Sequence, residues 1–195
     1  MVGERTDAEI IAASLEDGAA FGEIFERHHL AIYRFLERRT DDSSAGDLAA
    51  DVFAKAFSLR RRYDLEMPNS RPWLYGIARN LLRDHLRRRG RASAAYVRFS
   101  LDADTAFRSP EAEAEARIRV EQLRRAVKKL KKRDAEALIM FAVDGMDYAE
   151  IASTLGLKLG TVKSSINRAR RKIGELIDAE RPITGWGSKN RGDAQ

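Results

Sequence analysis

The stretch Asp147-Tyr-Ala-Glu-Ile-Ala-Ser-Thr-Leu-Gly156, then Leu-Lys-Leu-Gly160 and Thr161-Val-Lys-Ser-Ser-Ile-Asn-Arg-Ala-Arg170, decides the second half of the chain. Ile151, Ala152 and Leu155 fall on one side of a short helix. Gly156 can take a positive φ and end it, and Thr161 is placed to cap the next helix. From there Val162, Ile166, Ala169, Ile173 and Leu176 step by four and three residues, giving one core face. The opposite face carries Lys163, Ser164, Asn167, Arg168 and Arg171, and residues 158–172 hold no carboxylate. A helix-turn-helix whose second helix is cationic and short-polar on its outer face suits the base edges and phosphates of a major groove.

Working outward, the rest of the chain is also helical in period. Ile10, Ile11 and Leu15 begin a short N-terminal helix, and Phe21, Ile24, Phe25, His28, Ile32, Phe35 and Leu36 line one face of the next. Asp41-Asp42-Ser43-Ser44 interrupts the pattern and offers caps, after which Leu48, Val52, Phe53 and Phe57 mark another amphipathic helix. Met67-Pro68-Asn69-Ser70 has loop composition, and Pro72 suits the first turn of a helix running through Trp73, Leu74, Ile77, Leu81, Leu82 and Leu86 to Gly90. Between 91 and 110 the apolar pattern fades into a linker. Helices resume near Glu111, around Ile118, Leu123, Val127 and Leu130, and again at Leu138, Ile139 and Phe141. Residues 181–195 have tail composition, with Trp186 their one large ring. The expectation is an all-α chain of two small helical domains: a four-helix domain over 1–90, a linker over 91–110, a helix-turn-helix domain over 111–180 and a tail over 181–195.

Composition narrows the function. The chain has 195 residues, 44 % of them hydrophobic, 34 % charged and only 8 % aromatic, which suits solvated helical bundles better than a β-rich core. There is no cysteine, so disulfides and thiolate metal sites are excluded and a reducing cytoplasm is expected. No apolar run reaches the roughly 18 residues of a membrane span, and the N-terminus lacks a signal-peptide core. The net charge of +6 is concentrated in two blocks. One spans residues 60–101, from Arg60-Arg61-Arg62 through Arg87-Arg88-Arg89 to Arg98, and the other, over 158–172, holds Lys158, Lys163, Arg168, Arg170, Arg171 and Lys172. An acidic strip with Asp102, Asp104, Glu111, Glu113 and Glu115 separates them. A polyanion touched at two places accounts for the layout.

Three blocks carry a family resemblance. Asp47-Leu-Ala-Ala-Asp-Val-Phe-Ala-Lys-Ala-Phe57 resembles the helix by which bacterial sigma factors dock on the clamp helices of RNA polymerase. Arg71-Pro-Trp-Leu-Tyr-Gly-Ile-Ala-Arg-Asn-Leu-Leu-Arg-Asp-His-Leu-Arg-Arg-Arg89 is similar to the family's helix for the −10 promoter element. Asp144-Gly-Met-Asp-Tyr-Ala-Glu-Ile-Ala, Gly160-Thr-Val-Lys-Ser164 and Arg168-Ala-Arg resemble its −35-reading domain. The blocks follow the family's order over residues 20–178, with no room for the extra domains of primary sigma factors. The resemblance is therefore to the extracytoplasmic-function (ECF) group. It implies a transcription initiation factor that binds core RNA polymerase, recognises −35 and −10 DNA and assists opening. It also implies an anti-sigma partner and a linker running through the polymerase cleft, whose acidity either mimics nucleic acid or is merely solvated.

Candidate residues follow. For −10 DNA, Arg79, Arg83, Arg87 and Arg88 supply charge for phosphates, and Trp73 and Tyr75 are placed to stack on unpaired bases, Trp73 having a core reading beside it. Asn80 offers a donor and an acceptor, and by resemblance it and the loop Tyr63–Ser70 hold a base flipped from the opened element. For −35 DNA, Ser164, Asn167 and Arg168 are assigned to base edges, and Thr161, Lys163 and Arg171 to phosphates. For the polymerase, Asp47, Asp51 and Phe53 are assigned to docking, and Phe57 to the core. The chain departs from the family where Ala50 replaces the usual Gln, Asp51 the usual Glu and Ser165 a common Arg, and where Asn167 fills an often aromatic or His position. The family's −35 preference does not carry over. No cofactor, metal or catalytic residue is expected, because His28, His29 and His85 lack ligand spacing and no phosphate-binding glycine loop is present. The competing expectation is a one-component helix-turn-helix regulator acting without polymerase.

Overall fold

The structure is a computed structural model describing residues 5–88 and 110–179. These residues form eight α-helices and two short 3₁₀ turns, with no strand among them. The first half contains α1 (Asp7–Ala13), α2 (Gly22–Glu37), α3 (Asp42–Leu59) and α4 (Arg71–Arg88). The second contains α5 (Pro110–Lys128), α6 (Lys132–Ala142), α7 (Tyr148–Leu155) and α8 (Leu159–Ala179). Apart from Pro110, which opens α5, the expected linker lies outside the described residues, as does the tail.

Local chemistry sets the helix ends. Asp41 caps α3 by accepting the Ser44 N–H at 3.0 Å, as the polar break foretold. Asp147 caps α7 through the N–H groups of Ala149 and Glu150, and the Glu150 carboxylate returns to the Asp147 N–H at 2.9 Å, closing a capping box. Gly156 takes φ +65° and ends α7, with the Leu157 N–H reaching back to the Ala152 carbonyl at 2.9 Å. Thr161 is a correction. The helix begins two residues earlier, at Leu159, so Thr161 sits inside its first turn and its N–H bonds to the Lys158 carbonyl. Phe57 is another: it stays 38 % exposed at the end of α3, edge-on to Phe21 and covered on one face by the Arg60 guanidinium.

The two halves are in direct contact. One hydrophobic cluster runs from Ile10, Phe35, Val52, Leu74 and Tyr75 in the first half to Met140, Met146, Ile151, Val162 and Ile166 in the second. Helix α4 packs against α7 along this seam. Polar contacts rim it. The Asp144 carboxylate, fully buried, pairs with Arg39 at 2.9 Å and Arg38 at 3.2 Å. Arg71 donates to the carbonyls of Asp144 and Gly145 and pairs with Glu150 at 3.2 Å. Arg79 pairs with Glu136, and the Thr154 hydroxyl donates to the Pro72 carbonyl at 3.2 Å. Nothing in the amino-acid pattern foretold this docking, because every pair joins residues far apart in sequence.

Asp7 anchors α1. Its carboxylate accepts from Arg27, His28 and both the N–H and hydroxyl of Ser70. Burial works to raise its pKa, but the hydrogen bonds from His28 and Ser70 outweigh burial and hold it well below its ordinary 3.8. A folded-state pKa below the unfolded value adds stability at pH above 3.8, lost as pH falls toward the folded pKa. Denaturant unfolding from pH 6 down to pH 2.5 is therefore expected to show the stability gap between wild type and Asp7→Asn narrowing below about pH 4. A constant gap across that range would remove the Asp7 charge from the acid response.

Candidate nucleic-acid interface

The outer face of α8 presents Lys163, Ser164, Asn167 and Arg171 to solvent, because Val162, Ser165, Ile166 and Ala169 turn inward. The Ser164 hydroxyl donates to the Thr161 carbonyl at 2.9 Å, and Thr161 is half-buried. Arg171 reaches Glu175 only loosely, at 3.7 Å, and stays exposed. Arg168, assigned to base edges, also has a partner within the protein. Its guanidinium is gripped by Asp134 of α6 through Nε at 3.2 Å and Nη2 at 2.9 Å, and Nη2 also donates to the buried Ser165 hydroxyl. The Arg168 hydrogen bond lowers the Asp134 pKa against burial, so this carboxylate is charged and pairs with Arg168, whose side chain remains 40 % exposed. Ser165 faces the protein and not the groove. Asp134 was not foreseen; its one signal is a lone carboxylate following Lys131-Lys132-Arg133 at a helix start.

On α4, Trp73, Gly76, Asn80, Arg83 and Arg87 step by three and four residues along one stripe. Asn80, Arg83, Arg87 and Arg88 are exposed, with Arg87 3.2 Å from Asp84. The Trp73 ring is half-buried against Tyr63, centroids 5.0 Å apart, at the base of the loop 63–70. Burial, with the Asp7 and Asp64 charges, pushes the Tyr63 phenol up to about 12, so it is a neutral donor to the Met67 carbonyl. Two expectations are corrected. Tyr75 is 2 % exposed, its ring edge-on to Phe35 at 5.0 Å, so it fills the core and does not face a base. Arg79 is turned into the seam toward Glu136.

On α3, Asp47 and Asp51 are exposed one turn apart. Phe53 is 7 % exposed and sits edge-on to Phe25 at 5.0 Å, so the aromatic that reaches solvent here is Phe25, with His29 stacked on it at 4.9 Å. Phe25 was grouped with the core-facing residues, and only packing shows that the face turns outward there. Among the described residues no group of three metal-ligating side chains converges, and no helix is long and apolar enough to cross a membrane.

Comparison with known proteins matches these elements. Residues 24–92 match the family model for Sigma-70 region 2, and residues 120–173 match that for Sigma-70, region 4. The ECF RNA polymerase sigma factor SigM of Mycobacterium tuberculosis is 32 % identical over 179 residues, covering 89 % of this chain and 86 % of that protein. The RNA polymerase sigma factor CnrH of Cupriavidus metallidurans is 28 % identical over 181 residues, covering 88 % of this chain and 94 % of that protein. The solved structure of CnrH in complex with the cytosolic domain of CnrY aligns with a TM-score of 0.63 at 26 % identity, covering 90 % of this chain and 99 % of that one. With two sigma regions in order and relatives covered over most of their length, the chain belongs to the ECF RNA polymerase sigma factors.

Proposed function

We propose that this sigma factor acts in the cytoplasm as a non-enzymatic initiation subunit, with −10 recognition on the stripe of α4 and −35 recognition on the outer face of α8. The observation that carries the assignment is that each of these two faces joins exposed cations to an exposed asparagine, while the opposite faces are spent on the core. Arg83, Arg87 and Arg88 contact phosphates and Asn80 reads a base extruded between Trp73 and the loop Tyr63–Ser70. Ser164 and Asn167 read the −35 duplex, and Thr161, Lys163 and Arg171 position it. Asp47, Asp51 and the Phe25–Phe53 pair meet the polymerase. The domain limits are 1–90 and 111–180. The structure of CnrH was solved with the cytosolic domain of CnrY; by analogy we assign this chain a protein partner of the anti-sigma kind.

Run-off transcription with core polymerase on fragments of the source genome tests the assignment. Promoter-specific transcripts that require the protein, and that fade when Arg87 and Arg88 are neutralised, support it. Sequence-specific duplex binding with no polymerase binding would make the chain a one-component regulator instead. On a promoter so mapped, Asn80→Ala is expected to slow open-complex formation about tenfold, the loss of one buried base contact, while −35 duplex binding stays intact. Unchanged initiation in that variant would remove Asn80 from the base-reading set.

A further inference from the structure

The loop 63–70 stands on two buried feet, Tyr63 and Ser70, and exposes everything between them, including Leu65 and Met67. Two large apolar side chains held in water, in a loop whose Tyr63 foot packs against the Trp73 ring, are suited to cover the face of an unstacked base. Within the loop the Tyr63 hydroxyl donates to the Met67 carbonyl, and the Glu66 N–H and Met67 N–H bond back to Asp64. The Ser70 foot carries no such bond of its own. Its N–H and hydroxyl are both satisfied by one oxygen of the Asp7 carboxylate, at 2.9 and 2.8 Å. The Asp7 N–H in turn donates to the Pro68 carbonyl at 3.1 Å. Arg27 at 3.1 Å and His28 at 2.7 Å brace the same carboxylate from α2.

Asp7 lies more than sixty residues before Pro68 and Ser70, the loop residues it holds. We propose that Asp7 is a positioning residue for the −10 element. Through Pro68 and Ser70 it sets the height of Leu65 and Met67 above the start of α4, and so the pocket into which the extruded base fits. Helix α1 thereby takes part in promoter opening without touching DNA. Two hydrogen bonds donated by the loop's last residue and one accepted by its third-last hold that foot on Asp7, and a base pocket displaced by even a fraction of an ångström loses stacking and edge contacts together. The inference rests on the proposal that this loop and Asn80 hold the −10 base.

The test uses the full chain assembled on core polymerase. Its probes are a single-stranded oligonucleotide carrying the mapped −10 sequence and a duplex carrying the −35 sequence. Asp7→Ala is expected to weaken −10 strand binding about tenfold, while −35 duplex binding and polymerase affinity stay within about twofold of wild type. Because emptying a buried site can unfold the protein, Asp7→Asn is measured alongside. Its carbonyl oxygen still accepts from Ser70, so −10 binding is expected to recover to within about threefold of wild type. Thermal melting confirms that each variant is folded at the assay temperature. Equal losses at −10 and −35, or wild-type −10 binding in folded Asp7→Ala while Asn80→Ala is impaired, would overturn the positioning role alone. If Asn80→Ala and a Leu65→Ser, Met67→Ser double variant also bind the −10 strand normally, the underlying assignment of the pocket fails with it.

Discussion

Tyr75→Ala is expected to lower folding stability by about 3–5 kcal/mol, the usual cost of emptying a large aromatic site in a packed core. The ring is 2 % exposed, meets Phe35 edge-on, and lies in the cluster that also contains Met140, Met146 and Ile166. Burial raises the phenol's pKa, so no charge is at stake at neutral pH, and the ring is what the site uses. Tyr75→Phe keeps the ring and loses the hydroxyl's hydrogen bond with Arg71, and is expected to cost about 1 kcal/mol, the typical net value of one such bond. Urea unfolding of the three proteins checks both figures. A Tyr75→Ala variant as stable as wild type but defective on single-stranded −10 DNA would return the ring to the stacking role that its position beside Trp73 had suggested.

Asp144→Ala should open the seam between the halves. The carboxylate is fully buried and answers two arginines, Arg38 and Arg39, each of them 105 residues or more away in sequence. Removing one member of a buried ion-paired group leaves the others uncompensated, at about 3–5 kcal/mol. Part of that loss is avoided if the halves separate and the arginines reach water. The prediction is therefore a larger radius of gyration in small-angle scattering, with helical content retained. Function also calls for such an opening. The −10 and −35 elements, about 25 base pairs apart by position, are separated by roughly 85 Å along straight duplex at about 3.4 Å per base pair. In the closed form α4 and α7 touch, and Arg71 and Arg79 are spent on Glu150 and Glu136. Scattering indistinguishable from wild type would mean that the apolar seam holds without its charged rim.

The helices and their ends were legible because they depend on neighbours three or four residues away. Asp41, Asp147 and Gly156 act within a single turn, and the core faces of α7 and α8 follow a period the chain carries on its surface. Thr161 misled because a threonine near a helix start has cap chemistry, while Lys158 already accepts the first helical bond. Of the candidate interface, Asn80, Arg83, Arg87 and Arg88 on α4 and Lys163, Ser164, Asn167 and Arg171 on α8 are exposed, because the apolar period of each helix turns the opposite side inward.

The amino-acid pattern by itself determined the all-α class, the order of the sigma blocks and the polar stripes on α4 and α8, since composition, helical period and motif spacing are properties of local sequence. Which aromatic of each face turned inward was decided only by packing. Tyr75 and Phe53 are interior while Phe25 and Phe57 reach solvent, because helices crossing at a given angle cover some positions of an apolar stripe and not others. The engagement of Arg168 by Asp134, of Arg71 by Glu150 and of Ser70 by Asp7 was decided by tertiary structure too. A charged or hydroxyl side chain finds its partner through space, and no spacing along the chain announces a contact that closes over tens of residues.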